Sequence, residues 1–220
     1  MKTILKVVVG STLHGLNTPN SDIDTRGIFQ VPLIDIVSPF KKQQNTSWIE
    51  GKVDDTSYEL LNFIKFACQG NPTILEVLWS DMVKETSTIG ESLRENRYIF
   101  LDSERIYQAH RGYSHNQLNK MDLYNPNKIR TPKTVIAYIR SMRQGAQLLR
   151  TGTFDTKYNY PDKQFLMDIK EDFKPSHVSR VSELMLKVSH ELELANRDRK
   201  EMKPDFNKIE ELICNYYGIR

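Results

Sequence analysis

Two carboxylates near the start of the chain have a spacing that suits metal binding. Asp22 and Asp24 are two residues apart, so on a strand both project from one face while Ile23 points into the core. Carboxylates this close repel each other unless a cation lies between them. Mg²⁺ accepts one or two carboxylates and completes its shell with water and substrate phosphates. The pair therefore predicts a magnesium site.

A glycine-serine turn, separated from this pair by ten residues, has the complementary chemistry. Gly10 lets the backbone approach a phosphate closely, and the amides that follow it can donate to an anion together with the Ser11 hydroxyl. An Asp-x-Asp pair and a Gly-Ser turn are each common on ordinary protein surfaces. Found together, beside predicted strands, they indicate chemistry on a nucleoside triphosphate.

Predicted strands position both motifs. The β-branched run over residues 4–9 is typical of a buried strand, which Gly10 ends. Strand character resumes over residues 22–31 and stops at Pro32. A third extended segment is expected near residues 52–58.

Helices follow the strands along the chain. Apolar residues recur with a helical period over residues 60–67, Gly70 ends this stretch, and Asn71-Pro72 is typical of an N-cap followed by proline. Strands first and helices afterwards predict an α+β fold with a sheet-based front and a helical C-terminal half. Further helices are expected near residues 88–97, 103–120, 133–150, 177–197 and 206–217.

Composition restricts the class of protein. The chain has 220 residues, of which 39% are hydrophobic and 27% charged, so it can bury a core and is not disordered. It has no apolar run near the roughly 20 residues of a membrane helix and no cleavable signal pattern, so we expect a cytoplasmic protein without a membrane partner. Cys68 and Cys214 each stand alone in apolar runs, which favours buried reduced thiols.

The net charge of +3 is unevenly distributed. Residues 1–100 hold 10 basic against 12 acidic residues, residues 101–160 hold 10 against 4, and residues 161–220 hold 11 against 12. The surplus of six in the middle segment suits a surface that binds phosphates, although a solvated helical face would have the same composition.

Taken together, these motifs resemble the signature of the DNA polymerase β nucleotidyltransferase superfamily: a hydrophobic residue with Gly-Ser, a spacer, then Asp-hydrophobic-Asp. The wider set is similar to the predicted nucleotidyltransferases of the RNA-repair-pathway branch. It comprises 10–15, 21–27, Asn71-Pro72 with Glu76 and Leu78, 110–113 with Gln117, 133–140 and 148–152.

The resemblance implies a fold with a small mixed sheet and a two-metal mechanism. Asp22 and Asp24 would hold two Mg²⁺ ions, with Mn²⁺ as a substitute, and Gly10 and Ser11 would bind the nucleotide phosphates. The superfamily usually adds a third carboxylate from a neighbouring strand. We choose Asp55, with Asp54 and Glu59 as alternatives, and Glu59 could instead complement the start of a helix.

Basic residues are candidates for phosphate binding. Arg26, two residues beyond Asp24, could touch a phosphate or merely neutralise the acids. Lys133 and Arg140 are seven residues apart and share a helix face, with Arg143 one turn further, although such cations often only flank an apolar stripe. Neither His14 nor His110 has companions at metal-ligand spacing, so neither is expected in catalysis.

The resemblance implies an enzyme that transfers a nucleoside monophosphate from an NTP such as ATP to a hydroxyl, with an RNA or tRNA end as the favoured acceptor. Two alternatives stay open: a protein side chain as acceptor, and a catalytically idle binding module of the same fold. Residues 1–100 are the expected catalytic domain, and residues 101–220 the helical domain that completes the cleft for nucleotide and acceptor.

Overall fold

The computed structural model describes residues 2–40, 46–50, 53–123 and 131–219. A five-stranded mixed sheet has the order β3-β4-β2-β1-β5. Its central strand β2 pairs antiparallel with β1 and parallel with β4. The strands are β1 Lys2–Val9, β2 Ile23–Gln30, β3 Thr46–Glu50, β4 Val53–Glu59 and β5 Val83–Thr86.

Helices make up most of the rest of the described chain. They are α1 Gly10–His14, α2 Leu33–Val37, α3 Leu60–Cys68, α4 Pro72–Trp79, α5 Thr88–Glu95, α6 Ser103–Leu118, α7 Thr131–Thr151, α8 Lys163–Glu171, α9 Val178–Arg197 and α10 Phe206–Tyr217. The predicted α+β fold, with strands first and helices afterwards, is confirmed.

The chain forms two compact units. Unit 1 comprises Met1–Gln69, Thr73–Leu101 and Lys203–Arg220, and unit 2 comprises Gly70–Pro72 and Asp102–Met202. The sequence analysis assigns all of residues 101–220 to one domain, whereas the structure groups the last segment, with α10, with the sheet. The functional division between the two predicted domains stays a prediction.

Unit 1 is built on the sheet. Strand β1 is a run of apolar residues because it pairs on both edges and is covered on both faces; Val7, Val8 and Val9 are all buried. Its core also contains Leu13 from α1 and Phe63 from α3, both fully buried.

Unit 2 is helical. Helix α7 packs against α6 and α9, and its buried residues recur at helical spacing, as an amphipathic stripe requires. Each of the three helices contributes a fully buried residue to this core: Ile106 from α6, Ile139 from α7 and Val188 from α9.

Several details differ from the sequence analysis. The segments α1, α2, β3, β5 and α8 were not predicted, and Lys52, at the start of the third predicted segment, lies outside the described residues. Ile23, predicted to point into the core, is 45% exposed. Cys68 and Cys214 form no disulfide, and both are partly exposed rather than buried.

Candidate active site

The sheet register brings two acids side by side at the start of two parallel strands. Asp24 of β2 is the Cα partner of Asp54 in β4, and on its other side it pairs with Val9, the last residue of β1. Partners in neighbouring strands share a face, so the Asp24 and Asp54 side chains lie on the same side of the sheet. Asp22, exposed, immediately precedes β2.

The placement expected for Asp55, beside the Asp22 and Asp24 pair, is wrong. Asp55 is the partner of Thr25 and so lies on the opposite face from Asp24. Its Oδ2 accepts from Lys6 Nζ at 2.6 Å, with both side chains partly buried. Asp54, an alternative in the sequence analysis, is the carboxylate that the fold places next to Asp24.

The electrostatics of Asp24 reflect this crowding. Burial raises the pKa of the Asp24 carboxyl, and the negative charges of Asp54, Asp22 and Glu76 raise it further, while Arg26 opposes them. Ionisation of Asp24 is therefore less favourable than in a free aspartate, and a bound cation would favour the charged form.

Two features require a glycine at position 10: its backbone conformation and the closeness of the Asp24 side chain. Its φ of +67° lies in the left-handed region, and a Cβ at this position would collide with Asp24 Oδ2. The Gly10 N–H donates to Glu76 Oε1 at 3.1 Å, and Ser11 follows within α1. The turn therefore packs directly against an acid of the candidate site.

Glu76 joins several parts of this site. It lies on α4 and is 2% exposed. Besides Gly10 N–H, its Oε1 accepts from His14 Nε2, and its Oε2 is 3.5 Å from Arg26 NH1. Arg26 NH1 also donates to the carbonyl oxygen of Thr73 at 3.3 Å.

Glu76 was expected only as part of the family resemblance, without a role of its own. The sequence does contain a usable signal, because the residues around Glu76 are all apolar: Ile74, Leu75, Val77, Leu78 and Trp79. The structure buries all five in α4. An acid inside a helix that is apolar all round must be buried, and a buried carboxylate requires partners.

Glu59 is at the start of a helix, as the alternative interpretation held. It is the N-cap of α3, and its Oε2 accepts from the backbone N–H groups of Leu61 and Asn62. Glu59 lies four residues beyond Asp55 on β4, so both residues are on the face of the sheet opposite Asp24.

The basic residues of the middle segment that were predicted to bind phosphate belong to unit 2. Lys133 is exposed and Arg140 half-buried, both on α7; their binding of phosphate stays a prediction. Arg143 is 5% exposed and is paired with Asp162 at 2.6 Å and with the Tyr158 hydroxyl, which makes it a core residue.

The carboxylates of the candidate site are the type of ligand that a divalent cation such as Mg²⁺ prefers. Within the described ranges no group of three or more His, Cys, Asp or Glu side chains is arranged to hold a metal ion by itself. Mg²⁺ needs only one or two carboxylates, since water and substrate phosphates supply its other oxygens. Two adjacent carboxylates that repel each other, Asp24 and Asp54, meet that requirement. In the same described part of the chain, no helix is long and apolar enough to cross a membrane.

A small mixed sheet, with paired acids at the start of two parallel strands and a glycine turn against them, defines a polymerase-β-like α+β protein. The model of the RNA repair pathway DNA polymerase beta family (RlaP) matches residues 1–215, and the chain belongs to this family.

Two curated proteins are similar to this chain. An uncharacterized protein, MJ0002, of Methanocaldococcus jannaschii is 26% identical over 162 residues, which are 71% of this chain and 64% of the relative. An uncharacterized 38.9 kDa protein in the nrdC-mobD intergenic region of Enterobacteria phage T4 is 26% identical over 186 residues, which are 75% of this chain and 54% of the relative. The chain thus spans between half and two thirds of the length of these relatives.

Proposed function

We propose that this chain is a nucleotidyltransferase that moves a nucleoside monophosphate from an NTP to a hydroxyl acceptor, releasing pyrophosphate. The observation that carries the proposal is the register of Asp24 with Asp54 beside the Gly10 turn, in a chain of the RNA repair pathway DNA polymerase beta family.

Each residue has a distinct task in this proposal. Asp24, Asp54 and Asp22 hold Mg²⁺, with Mn²⁺ as a substitute. When bound, the metal neutralises phosphate charge and lowers the pKa of the attacking hydroxyl. Gly10 lets the backbone approach the phosphates closely, and Ser11 donates to them from its amide and hydroxyl, because the Gly10 N–H is already donated to Glu76 Oε1. Arg26 offsets part of the negative charge of the acids, since it lowers the pKa of Asp24.

An RNA or tRNA end is the proposed acceptor. The family description, an RNA repair pathway, supports this choice, and the middle segment carries a basic surplus that suits a polyanion. Because the chain spans 54% to 64% of its relatives, the proposal concerns the reaction of this segment.

The test incubates the purified chain with Mg²⁺ and each α-³²P-labelled NTP, with mixed RNA or with no added acceptor. Label on RNA supports the proposal. Label on the protein itself would instead favour the protein-modifying alternative, and no label on either would favour an idle module. Asp24→Asn should abolish labelling, while Asp55→Asn, on the opposite face of the sheet, is the matched control that should retain it.

A further inference from the structure

Arg26 is in a position to neutralise the acids but does not bind them. It lies two residues from Asp24 on the same strand face. Its NH1 instead donates to Thr73 O at 3.3 Å and lies 3.5 Å from Glu76 Oε2. Within the described residues no ion pair joins Arg26 to Asp24 or to Asp22.

The carboxylate that attracts Arg26 is itself fixed in place. Glu76 is 2% exposed, and its Oε1 accepts both Gly10 N–H and His14 Nε2. These hydrogen bonds and the apolar surroundings of α4 leave its Oε2 directed at the guanidinium. The ion pair is therefore held from the Glu76 side, while the Arg26 side chain, 25% exposed, is the partner that can move.

We propose that Glu76 is a positioning residue that holds Arg26 away from Asp24 and so keeps the paired acids available to a divalent cation. The inference rests on the proposed function, because it takes Asp24 and Asp54 as the acids that bind the cation. Glu76 itself is no ligand: both of its oxygens are directed at other partners.

Removing only the charge of Glu76 should release the arginine. In Glu76→Gln the side-chain carbonyl can still accept Gly10 N–H at nearly unchanged volume, but the attraction for Arg26 is lost. The freed guanidinium is then attracted by Asp24, which lies on the same strand face and already interacts with it electrostatically. A guanidinium on Asp24 competes with the cation, and at protein-like dielectric we expect divalent binding about tenfold weaker.

The test measures Mn²⁺ affinity of the whole chain by electron paramagnetic resonance, without nucleotide. Glu76→Gln should bind Mn²⁺ about tenfold more weakly than the wild type. The double variant Glu76→Gln/Arg26→Met should regain the affinity of Arg26→Met alone, because no guanidinium is left to compete. Glu59→Gln is the matched control, a buried glutamate of unit 1 on the other face of the sheet, and should leave Mn²⁺ affinity unchanged.

Two results would overturn the inference: wild-type affinity in Glu76→Gln, or a weakened affinity that removal of Arg26 does not restore. If Glu76→Gln does not fold, the single variant Arg26→Met tests the inference by itself. It should change Mn²⁺ affinity less than about threefold, and a larger gain would show that the guanidinium already competes with the cation for the acids in the wild type. Failure of the proposed function is separate: the wild type would bind no Mn²⁺, or Asp24→Asn would bind it equally well.

Discussion

Asp54 and Asp55 are neighbours in sequence, and strand alternation gives them opposite environments. Asp54 lies beside Asp24, whereas Asp55 pairs with Lys6 on the other face. We expect Asp54→Asn to reduce nucleotidyl transfer by about a hundredfold or more, because it removes an acid that holds the cation needed to neutralise the phosphate charge. Asp55→Asn should retain transfer and lose about 1–2 kcal/mol of stability, because the Lys6 ammonium loses its negatively charged partner.

The same two variants should differ in the protein without metal. Asp54→Asn removes a like charge that raises the pKa of Asp24, so its melting temperature in EDTA should equal or exceed that of the wild type. Thermal denaturation in EDTA and initial rates of labelled NTP transfer check the pair. A large loss of stability in Asp54→Asn would show a structural role for that acid.

Gly10 is a residue whose replacement should act through Asp24. A Cβ there would collide with Asp24 Oδ2 and would also place an L side chain at a φ of +67°. Backbone strain alone costs about 1–2 kcal/mol. Gly218 has a φ of +66° with no atom near its absent Cβ, so Gly218→Ala is a matched control for that strain.

We expect Gly10→Ala to lose both stability and Mn²⁺ affinity, and Gly218→Ala to lose only stability. Denaturant unfolding and Mn²⁺ titration measure the two effects. Equal Mn²⁺ affinity in the two variants would mean that Gly10 serves the turn alone and not the position of Asp24.

At the scale of elements, the start of α3 depends on one side chain. Glu59 caps two backbone N–H groups of the first turn and is 3% exposed. Glu59→Ala should cost about 1–2 kcal/mol, the usual cost of a lost cap. Because Glu59 lies on the face opposite Asp24, Mn²⁺ affinity should stay unchanged. Urea unfolding and Mn²⁺ titration test both statements, and a change in Mn²⁺ affinity would contradict the separation of the two faces.

Local signals explain which elements were predictable from sequence. Helix α4 was predicted from Asn71-Pro72, and α3 from its apolar stripe and Gly70, because caps and periodicity act within a few residues. The edge strands β3 and β5 are four or five residues long and exist through pairing with β4 and β1. Such pairing is a non-local interaction that no short window of sequence contains.

The candidate site was predictable in part for the same reason. The spacing of Asp22 and Asp24 is local, so the sequence could indicate the pair. The choice between Asp54 and Asp55 depends on register between β2 and β4, where a shift of one residue exchanges the faces. The partners of Glu76 come from α1 and β2, which only the fold brings next to α4.

At the scale of the whole molecule, the two units carry different titrating groups. His110 in unit 2 is fully buried, and burial, with the nearby charge of Arg140, lowers its pKa to about 4. Its Nδ1 donates to Ser141 O at 2.7 Å, which opposes the lowering of the pKa, but burial outweighs this bond and the fold accommodates the neutral form. The unfolded chain, with a pKa of 6.5 at this residue, takes up a proton at a higher pH than the folded chain does.

Acid should therefore weaken unit 2 first. Stability from His110 is complete above pH 6.5 and is lost as the pH falls towards about 4; by pH 5 the loss is about 2 kcal/mol. Hydrogen exchange, corrected for intrinsic rates, should show α6 and α7 losing protection between pH 7 and pH 5 while β1 and β2 keep theirs. His110→Asn keeps a donor for Ser141 O but does not titrate, so it should abolish most of this difference. Uniform loss across both units, or an unchanged acid response in His110→Asn, would assign the acid sensitivity to other groups.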